Sequence, residues 1–444
     1  MIAINEKHRK NGHSNGVSEN GALNSHFKNQ IDFIEAFRVL MAAEAGEKHR
    51  DLVDNQLSAI ISHWLQSPSE PPILLSRSHQ QKWGNILRSW IALRGKKSTF
   101  SPTWTQTNAV PLKVDYSGVP FAPPKKPKFN FIDLFAGIGG FRIALQNLGG
   151  KCLFSSEWND RAKETYFQNY GEWPFGDITK LSRFRLLENE IDILAGGFPC
   201  QPFSRAGVSA RESLGQQHGF KCETQGQLFF DILNLANTHC PKMLILENVG
   251  NLLRHDGGHT FKVIRDRIEK KLKYKFFYKV YNTNTLVPQN RIRCLIVAFR
   301  DSPPSGWGMP EISGAPLPLR SILEEVPFDS PYTLTERMWE GHIRRSDRNV
   351  ARGTGFTAYV KDLTKPSTTL VARYYKDGKE CLIPQPGHPR GLPRMLTERE
   401  CARLQGFPEN FQPHSSKINA YKQFGNAVPV PLVQVVAEHA LKAV

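Results

Sequence analysis

A cysteine at position 200 has the surroundings of a nucleophile. It lies in residues 196–204, GGFPCQPFS, directly after a short apolar run at 191–195 that predicts a buried strand. We expect the two glycines to end the strand and Pro199 to stiffen the turn. Cys200 would then stand at the carboxyl edge of a sheet, where open α/β sheets bind their ligands. The segment therefore predicts an attacking thiolate, with a buried cysteine that serves only as a small hydrophobe as the alternative.

A second group of residues suits a ligand that contains a nucleoside. Residues 133–141, DLFAGIGGF, lie between a predicted strand and a predicted helix. Their three glycines let the backbone turn tightly and approach a ligand, toward which the helix amides point. The spacing is not the dinucleotide fingerprint, because the third glycine directly follows the second. Glu157 follows about twenty residues later at a predicted strand end, where a carboxylate commonly binds ribose hydroxyls, and Asp177 closes the next such turn.

The composition favours a polyanionic partner inside the cell. The 444 residues carry 58 Lys and Arg against 41 Asp and Glu, a net charge of +17. Neutralisation of phosphates by such a surplus drives binding to nucleic acid, although a basic protein without such a partner is the alternative. The seven cysteines form no C-x-x-C pair, which argues against a zinc ribbon or a disulfide scaffold. No apolar run approaches the ~18 residues of a membrane span, and the cysteine set is typical of a reducing cytoplasm. We therefore expect a cytoplasmic protein. No bound metal is expected.

The order of predicted elements indicates an α/β fold with appended parts. Strands and helices alternate from residue 129 to 300 and resume at 393, which predicts a doubly wound, mostly parallel sheet. Between these stretches, proline, glycine and arginine are frequent and only short strand-like runs occur, so a smaller separate lobe is expected. Apolar residues at helical spacing predict a helical N-terminal domain. The predicted parts are a disordered tail at 1–27, the helical domain at 28–119, a linker at 120–128, the catalytic domain at 129–300, the lobe at 301–392 and a return to the catalytic domain at 393–444.

Six segments, taken in order, resemble the bacterial DNA (cytosine-5)-methyltransferase family of the restriction-modification type. The resemblance covers about 129–300 and 393–444, with a variable insert between them. The segments are FAGIGG at 135–140, PCQ at 199–201, ENV at 247–249, QNRIR at 289–293, RECAR at 399–403 and QFGNAV at 423–428. One such match could arise by chance, but six in this order and spacing could not. The resemblance implies a DNA (cytosine-5-)-methyltransferase with the fold of S-adenosylmethionine-dependent methyltransferases.

By this resemblance the cofactor is S-adenosyl-L-methionine. Phe135 would stack on the adenine, which Trp158 would flank, while Glu157 would hold the ribose and Asp177 would accept from the adenine amino group. Two residues near the C-terminus would close the pocket. The expected cofactor-binding residues are Phe135, Gly137, Gly139, Gly140, Glu157, Trp158, Asp177, Ile178, Pro199, Asn426 and Val428.

The chemistry of the reaction assigns roles to the remaining motif residues. Carbon 5 of cytosine becomes nucleophilic when the Cys200 thiolate adds to carbon 6. Glu247, if protonated, suits a hydrogen bond to ring nitrogen 3, although a solvated carboxylate at a strand end is the alternative. Arg293 would hold the cytosine carbonyl oxygen and Arg291 would support the site, whereas phosphate contacts or ion pairs are the alternative for both. Gln289 would shape the site. No residue clearly removes the carbon 5 proton, and water could do so.

Access to a duplex cytosine requires base flipping and DNA contacts. We expect a mobile basic loop at 204–225 to close over the DNA and the insert at 301–392 to read the sequence. The expected DNA-recognition residues are Gln201, Ser204, Arg205, Thr369, Leu370, Arg373 and Lys376. Residues 372–378 resemble the corresponding segment of bacterial enzymes that read short sites containing CC, such as CCWGG. This resemblance is the only indication of the target site. The N-terminal domain could bind DNA, regulate its own operon or brace the catalytic lobe.

The expected partners are duplex DNA and, functionally, a cognate restriction endonuclease. The protein would act as a monomer at the nucleoid. One alternative is an RNA cytosine-5 methyltransferase that modifies transfer RNA. Another is a DNA-binding regulator whose methyltransferase core is secondary, against which the presence of Cys200, Glu247 and Arg293 argues.

Overall fold

The structure of the protein, a computed structural model, describes a large part of the chain. The described residues are 37–39, 41–43, 47–66, 85, 118–181, 190–199, 228–354, 358 and 360–444. The predicted tail, most of the predicted N-terminal domain and the predicted loop at 204–225 lie outside them. Two compact units divide the chain, residues 1–58 with 75–115 and residues 59–74 with 116–444. In the described residues, no helix is long and apolar enough to cross a membrane.

Helix α1, Glu47–Gln66, is the long helix described before the catalytic region. Its buried side chains include Leu57, Ile60 and Ile61, members of an apolar run that predicted a helix here. The backbone is non-helical at Gln56, with φ −125° and ψ 15°, so the helix is kinked there. Residues 59–66 beyond the kink belong to the second unit. The predicted boundaries at 28–119 and 120–128 stay predictions.

A six-stranded sheet forms the centre of the second unit. The strands are β1 Phe129–Leu134, β2 Gly150–Ser156, β3 Ile193–Gly197, β4 Met243–Val249, β5 Lys275–Asn282 and β6 Ile292–Phe299. Their order is β2-β1-β3-β4-β6-β5. The β1–β2, β1–β3 and β3–β4 pairs are parallel, whereas β6 is antiparallel to both β4 and β5. The α/β architecture is confirmed, and the antiparallel pairs lie at one side of a sheet that is otherwise parallel.

The helices of this unit follow the predicted alternation. They are α2 Gly140–Asn147, α3 Asp160–Tyr170, α4 Leu228–His239, α5 His259–Asp266, α6 Glu336–Ala351, α7 Glu398–Leu404, α8 Lys417–Asn426 and α9 Val430–Leu441. Local signals account for several boundaries. The Asn159 side chain caps α3, whose last turn is followed by Gly171 at φ 68°, and Thr397 with Glu400 forms a capping box on α7. The 16-residue helix α6 lies in the insert, where only short strand-like runs were expected.

The C-terminal segment completes the core of the catalytic domain. Helix α9 packs against α2, and the Asn147 side-chain amide donates to Gln434 Oε1 at 3.0 Å. Both helices contribute buried apolar side chains to the cluster that contains Phe131, Ile193 and Ile245 of the sheet. The return of the chain after the insert therefore brings residues 423–428 next to the loop that follows β1.

Two strands extend further than the sequence indicated. Gly196 and Gly197 continue β3 instead of ending it, since Gly196 pairs with Leu134 and Gly197 with Glu247. A Cβ atom on Gly196 would lie 2.9 Å from the Leu134 carbonyl oxygen, so the strand needs glycine there. Strand β4 likewise runs to Val249, so Glu247 lies within the strand, where β6 pairs with it.

Candidate active site

The loop after β1 has an unusual backbone. Phe135, directly after the strand, has φ 55°, a conformation that non-glycine residues rarely adopt. Gly137 and Gly139 follow at φ 55° and 85°, and α2 begins at the next residue. Such strained residues persist only where the surrounding structure holds them, and they are frequent at ligand sites. The backbone of this predicted cofactor loop is therefore set for a close approach to a ligand.

Glu157 joins the glycine loop to the end of β2. Its carboxylate accepts from the Gly137 N–H and from the Asn159 N–H, both at 2.8 Å. Burial raises the pKa of Glu157, and the backbone donors oppose that rise. The next residue, Trp158, is 76% exposed. A carboxylate and an open aromatic face thus stand side by side at the sheet edge.

Asp177 lies two residues after Phe175, which forms an isolated parallel bridge with Ser156 of β2. Its side chain accepts from the Thr179 N–H at 3.0 Å and from the Thr179 hydroxyl at 2.9 Å. It thereby caps a short 3₁₀ turn, Ile178–Lys180, in which Ile178 is buried. Glu157 therefore follows a strand end, as the sequence indicated, whereas Asp177 follows an isolated bridge and not a strand.

The residues around this loop fit a nucleoside cofactor. A Cβ atom on Gly140 would lie 2.7 Å from Val428 Cγ1, so the loop and the C-terminal return touch where only glycine fits. The carboxylate of Asp133, at the end of β1, is buried and has no hydrogen-bond partner among the described residues. Burial raises its pKa to about 8, even though Arg142 lowers it. The described site thus offers a narrow backbone cradle flanked by carboxylates, which is what ribose hydroxyls and amino groups require.

Glu247 and Arg293 form an ion pair on neighbouring antiparallel strands. Arg293 Nε lies 2.7 Å from Glu247 Oε1, and the two side chains are 11% and 13% exposed. Arg293 pairs with Val249 in the β4–β6 register, which places both charged groups at the same end of the strands. A Cβ atom on Gly197 of β3 would lie 3.1 Å from Glu247 Oε2. The second glycine of the GGFPC segment therefore leaves room for this carboxylate.

The segment that leads to Cys200 is tied to the same strand end. The Asn248 side-chain amide donates to the Phe198 carbonyl at 3.2 Å, and Pro199 follows. Cys200, Gln201, Ser204 and Arg205 lie outside the described residues. Asn248 belongs to the ENV motif but had been assigned no role, because its contact is with a backbone carbonyl that sequence spacing does not reveal.

Arg291 has a different environment from Arg293. It is buried, and its guanidinium donates to the carbonyls of Leu370, Gly425 and Ala427 at 2.8–3.1 Å. Two of these carbonyls flank Asn426. This arginine, assigned to the catalytic set in a supporting role, thus holds together the insert and the C-terminal segment that contains Asn426 and Val428.

Gln289, on the catalytic side, fixes the same junction. Its Nε2 donates to the Leu404 carbonyl at 2.9 Å, and its Oε1 accepts from the Leu370 N–H at 2.8 Å. The Thr369 hydroxyl donates to the Asn290 carbonyl at 2.7 Å. Arg373 and Lys376, which follow, are exposed. The candidate recognition segment is therefore attached to the catalytic strand, with its basic side chains open to solvent.

Sequence comparison identifies the family. The family described as C-5 cytosine-specific DNA methylase matches residues 129–442. The chain belongs to this family. The resemblance drawn from the six motifs and the expected enzyme class are thereby confirmed.

Individual relatives of this C-5 cytosine-specific DNA methylase are bacterial enzymes. Type II methyltransferase M.DsaV of Dactylococcopsis salina is 43% identical over 321 residues, which cover 71% of the chain and 87% of the relative. M.SsoII of Shigella sonnei is 40% identical and covers 80% of the chain and 90% of the relative. M.HpaII of Haemophilus parainfluenzae is 38% identical, with 72% and 91% covered.

Solved structures agree with the fold. The Dnmt2 methyltransferase of S. pombe superposes with a TM-score of 0.53 at 18% identity, over 71% of the chain and 98% of the neighbour. The Entamoeba histolytica methyltransferase EhMeth gives a TM-score of 0.53 at 19% identity. These neighbours support the methyltransferase fold of this family member.

Proposed function

We propose that this DNA cytosine-5 methyltransferase transfers a methyl group from S-adenosylmethionine to carbon 5 of a flipped-out cytosine, through a covalent bond to Cys200. The observation that carries the proposal is the Glu247–Arg293 pair, at the strand end to which Asn248 ties the segment preceding Cys200. Glu247, Arg293 and Cys200 would then act on the same cytosine ring as acid, cation and nucleophile.

Each group has a distinct task in this reaction. The Cys200 thiolate adds to carbon 6, so that electron density moves toward carbon 5 and nitrogen 3. Glu247 stabilises nitrogen 3 by donating a hydrogen bond, and Arg293 holds the carbonyl oxygen. S-adenosylmethionine, when bound, supplies an electrophilic methyl group. Loss of the carbon 5 proton, which water can accept, then lets the bond between Cys200 and carbon 6 break.

The ion pair implies that cytosine binding reorganises the site. A carboxylate paired with Arg293 has no proton to donate, whereas the proposed role needs one. When the cytosine binds, its carbonyl oxygen accepts hydrogen bonds from the Arg293 guanidinium. The Glu247–Arg293 ion pair then breaks, and Glu247 faces ring nitrogen 3.

The proposal is tested by following methyl transfer from radiolabelled S-adenosylmethionine. The purified full chain should label duplex DNA and leave transfer RNA unlabelled, in keeping with the DNA family to which it belongs. Label on carbon 5 of cytosine supports the reaction, whereas label on adenine or on RNA alone contradicts it.

Glu157 should matter more for the cofactor than for DNA. Its replacement by alanine removes a charge-assisted acceptor, worth about 1.5–3 kcal/mol, and releases the Gly137 N–H. We expect calorimetry to show S-adenosylmethionine binding weakened by roughly tenfold or more, with DNA affinity little changed.

A matched control is Glu438→Ala, which removes an exposed glutamate paired with Lys442 on α9. That variant should bind the cofactor as the wild type does. Equal affinity for S-adenosylmethionine in Glu157→Ala and Glu438→Ala would show that Glu157 does not bind the cofactor.

We propose further that site specificity resides in the insert at 301–392. Base discrimination needs side chains that reach groove edges, whereas phosphate contacts position a protein without reading sequence. The insert offers such side chains beside the catalytic strand, since Thr369 and Leu370 bind the backbone and side chain of residues 289–290. Arg373 and Lys376 extend from this anchored segment.

Arg373→Ala should therefore relax or change the methylated site, since loss of a base contact costs about 1–3 kcal/mol of discrimination. Removal of residues 1–46, which precede α1, should leave the methylated site unchanged. Bisulfite sequencing of DNA from cells that express each variant identifies the sequence that each variant methylates. A new site in the truncated protein, with the original site in Arg373→Ala, would reverse the assignment.

The proposed biological role is protection of host DNA from a cognate endonuclease. The type II relatives support it, because their names place them among type II methyltransferases. The expected S-adenosylmethionine use, monomeric state and nucleoid location belong to the same proposal. A purely regulatory role is disfavoured by the presence of Cys200, Glu247 and Arg293 together.

A further inference from the structure

Residues 59–63 of helix α1 are buried in the catalytic unit, outside the matched family region. Ser62 Oγ accepts from the Trp173 N–H at 2.9 Å. His63, 3% exposed, has its Nε2 2.6 Å from Glu172 Oε1, and its ring centroid lies 4.9 Å from that of Phe175. Two consecutive residues of α1 thus bind the short segment between α3 and Asp177.

Glu172 connects His63 to the helix that follows the glycine loop. Its other oxygen lies 2.7 Å from Arg142 Nη1, and neither side chain has any exposed surface. Burial alone would raise the pKa of Glu172, but Arg142 and His63 together hold it down, at about 2. The carboxylate is therefore shared between α1 and α2.

Arg142 and Tyr170 connect Glu172 to the glycine loop after β1. The Arg142 guanidinium lies over the Tyr170 ring, 5.2 Å from its centroid. The Tyr170 hydroxyl lies 3.1 Å from the Ile138 carbonyl oxygen and 3.0 Å from that of Gly139. A Cβ atom on Gly139 would collide with this hydroxyl, so the tyrosine and the loop are in close contact.

A second route runs from His63 through Phe175 to Glu157. The Glu157 N–H donates to the Phe175 carbonyl at 2.8 Å, and the Phe175 N–H donates to the Ser155 carbonyl at 2.9 Å. The Ser156 hydroxyl donates to the Gly176 carbonyl at 2.7 Å. The backbone that presents Glu157 is therefore paired with the residues on which the His63 ring rests.

We propose that His63 is a positioning residue for the cofactor site, acting through Glu172 on the glycine loop and through Phe175 on Glu157. The inference rests on the proposed use of S-adenosylmethionine by that site. It means that residues 59–66 form part of the functional catalytic domain, although they precede the family region by more than sixty positions.

A role confined to stability is the competing interpretation. Loss of a buried partner destabilises a protein wherever it occurs, because the remaining polar group stays unsatisfied. His342 provides a matched control. It too is 3% exposed, and its Nε2 lies 3.0 Å from the Asp377 carbonyl oxygen in the insert, outside the Glu172 network.

The test compares full-length His63→Ala, His63→Gln and His342→Ala with the wild type. We expect His63→Ala to raise the calorimetric Kd for S-adenosylmethionine by roughly threefold to tenfold, the range that residues along a coupling network produce. His63→Gln keeps a donor toward Glu172 and should recover most of the affinity. His342→Ala should lower the melting temperature without changing the Kd.

Amide hydrogen exchange without cofactor provides an independent readout. In His63→Ala, residues 135–140 and 171–178 should exchange faster than in the wild type, whereas His342→Ala should leave them unchanged. Should His63→Ala fail to fold, His63→Gln and Ser62→Ala are judged against the same criteria. An unchanged Kd and unchanged exchange in the folded His63 or Ser62 variants, or the same changes in His342→Ala, would overturn the inference. Absence of S-adenosylmethionine binding by the wild type would refute the proposed cofactor instead, and the exchange comparison would still decide the role of His63.

Discussion

Cys200→Ala is expected to abolish methyl transfer, with a loss of about 10⁴-fold or more. Removal of a covalent nucleophile leaves only the catalysis that binding and electrostatics provide. Without the thiolate, carbon 5 of cytosine does not become nucleophilic, whatever else the site retains. Single-turnover transfer of radiolabel to a duplex containing the methylated site measures the loss.

The proposed covalent bond is open to a direct trapping test. A duplex with 5-fluorocytosine at the target lacks the proton whose loss releases the enzyme, so the wild type should remain attached through denaturing electrophoresis. Cys200→Ala should give no such band. Cys240→Ala is the control, because Cys240 is the exposed cysteine among the described free cysteines. A trapped complex that persists in Cys200→Ala and disappears in Cys240→Ala would make Cys240 the nucleophile and contradict the proposal.

Glu247→Ala should cause the second largest effect, a fall in the transfer rate of about 10²- to 10⁴-fold. The variant removes the proposed donor to nitrogen 3 and also the carboxylate that lies 2.7 Å from Arg293 Nε. Binding of S-adenosylmethionine should be nearly unaffected, since the cofactor loop contacts Glu157 instead.

Glu247→Gln separates the two roles of this side chain. The amide cannot form the ion pair but can donate a hydrogen bond, so its rate should exceed that of Glu247→Ala. Glu269→Gln, which removes the half-buried ion-pair partner of Arg265, is the control for general charge effects. Equal rates for Glu247→Ala and the wild type would exclude an acid role.

Much of the site follows from local patterns. Short apolar runs followed by Gly, Glu or Asp identify strand ends, and parallel strands present those ends at one edge of the sheet. That rule groups residues 135–140 with Glu157, in agreement with the hydrogen bond from the Gly137 N–H, whereas Glu247 lies within β4 and Asp177 follows an isolated bridge. The strand and helix bounds in the catalytic region differ from the predicted ones by only a few residues, because β and α periodicities are strong there.

Other assignments needed contacts between distant parts of the chain. Arg291 and Arg293 differ by two positions, yet Arg291 is buried among carbonyls of residues 370, 425 and 427 while Arg293 faces Glu247. Alternation along a strand cannot tell these cases apart, since the answer depends on which segment covers each side chain. Gly197 was expected to end a strand, but its lack of a Cβ atom makes room for Glu247.

The sequence by itself therefore determined the family and the enzyme class and predicted residues for the chemistry, because motifs combine residue type with local spacing. Only the tertiary structure revealed that α1 ends inside the catalytic unit and that His63 shares Glu172 with Arg142. Residues 63, 142 and 172 have no common period or motif. Their association depends on burial, since a carboxylate removed from water requires partners from whichever elements surround it.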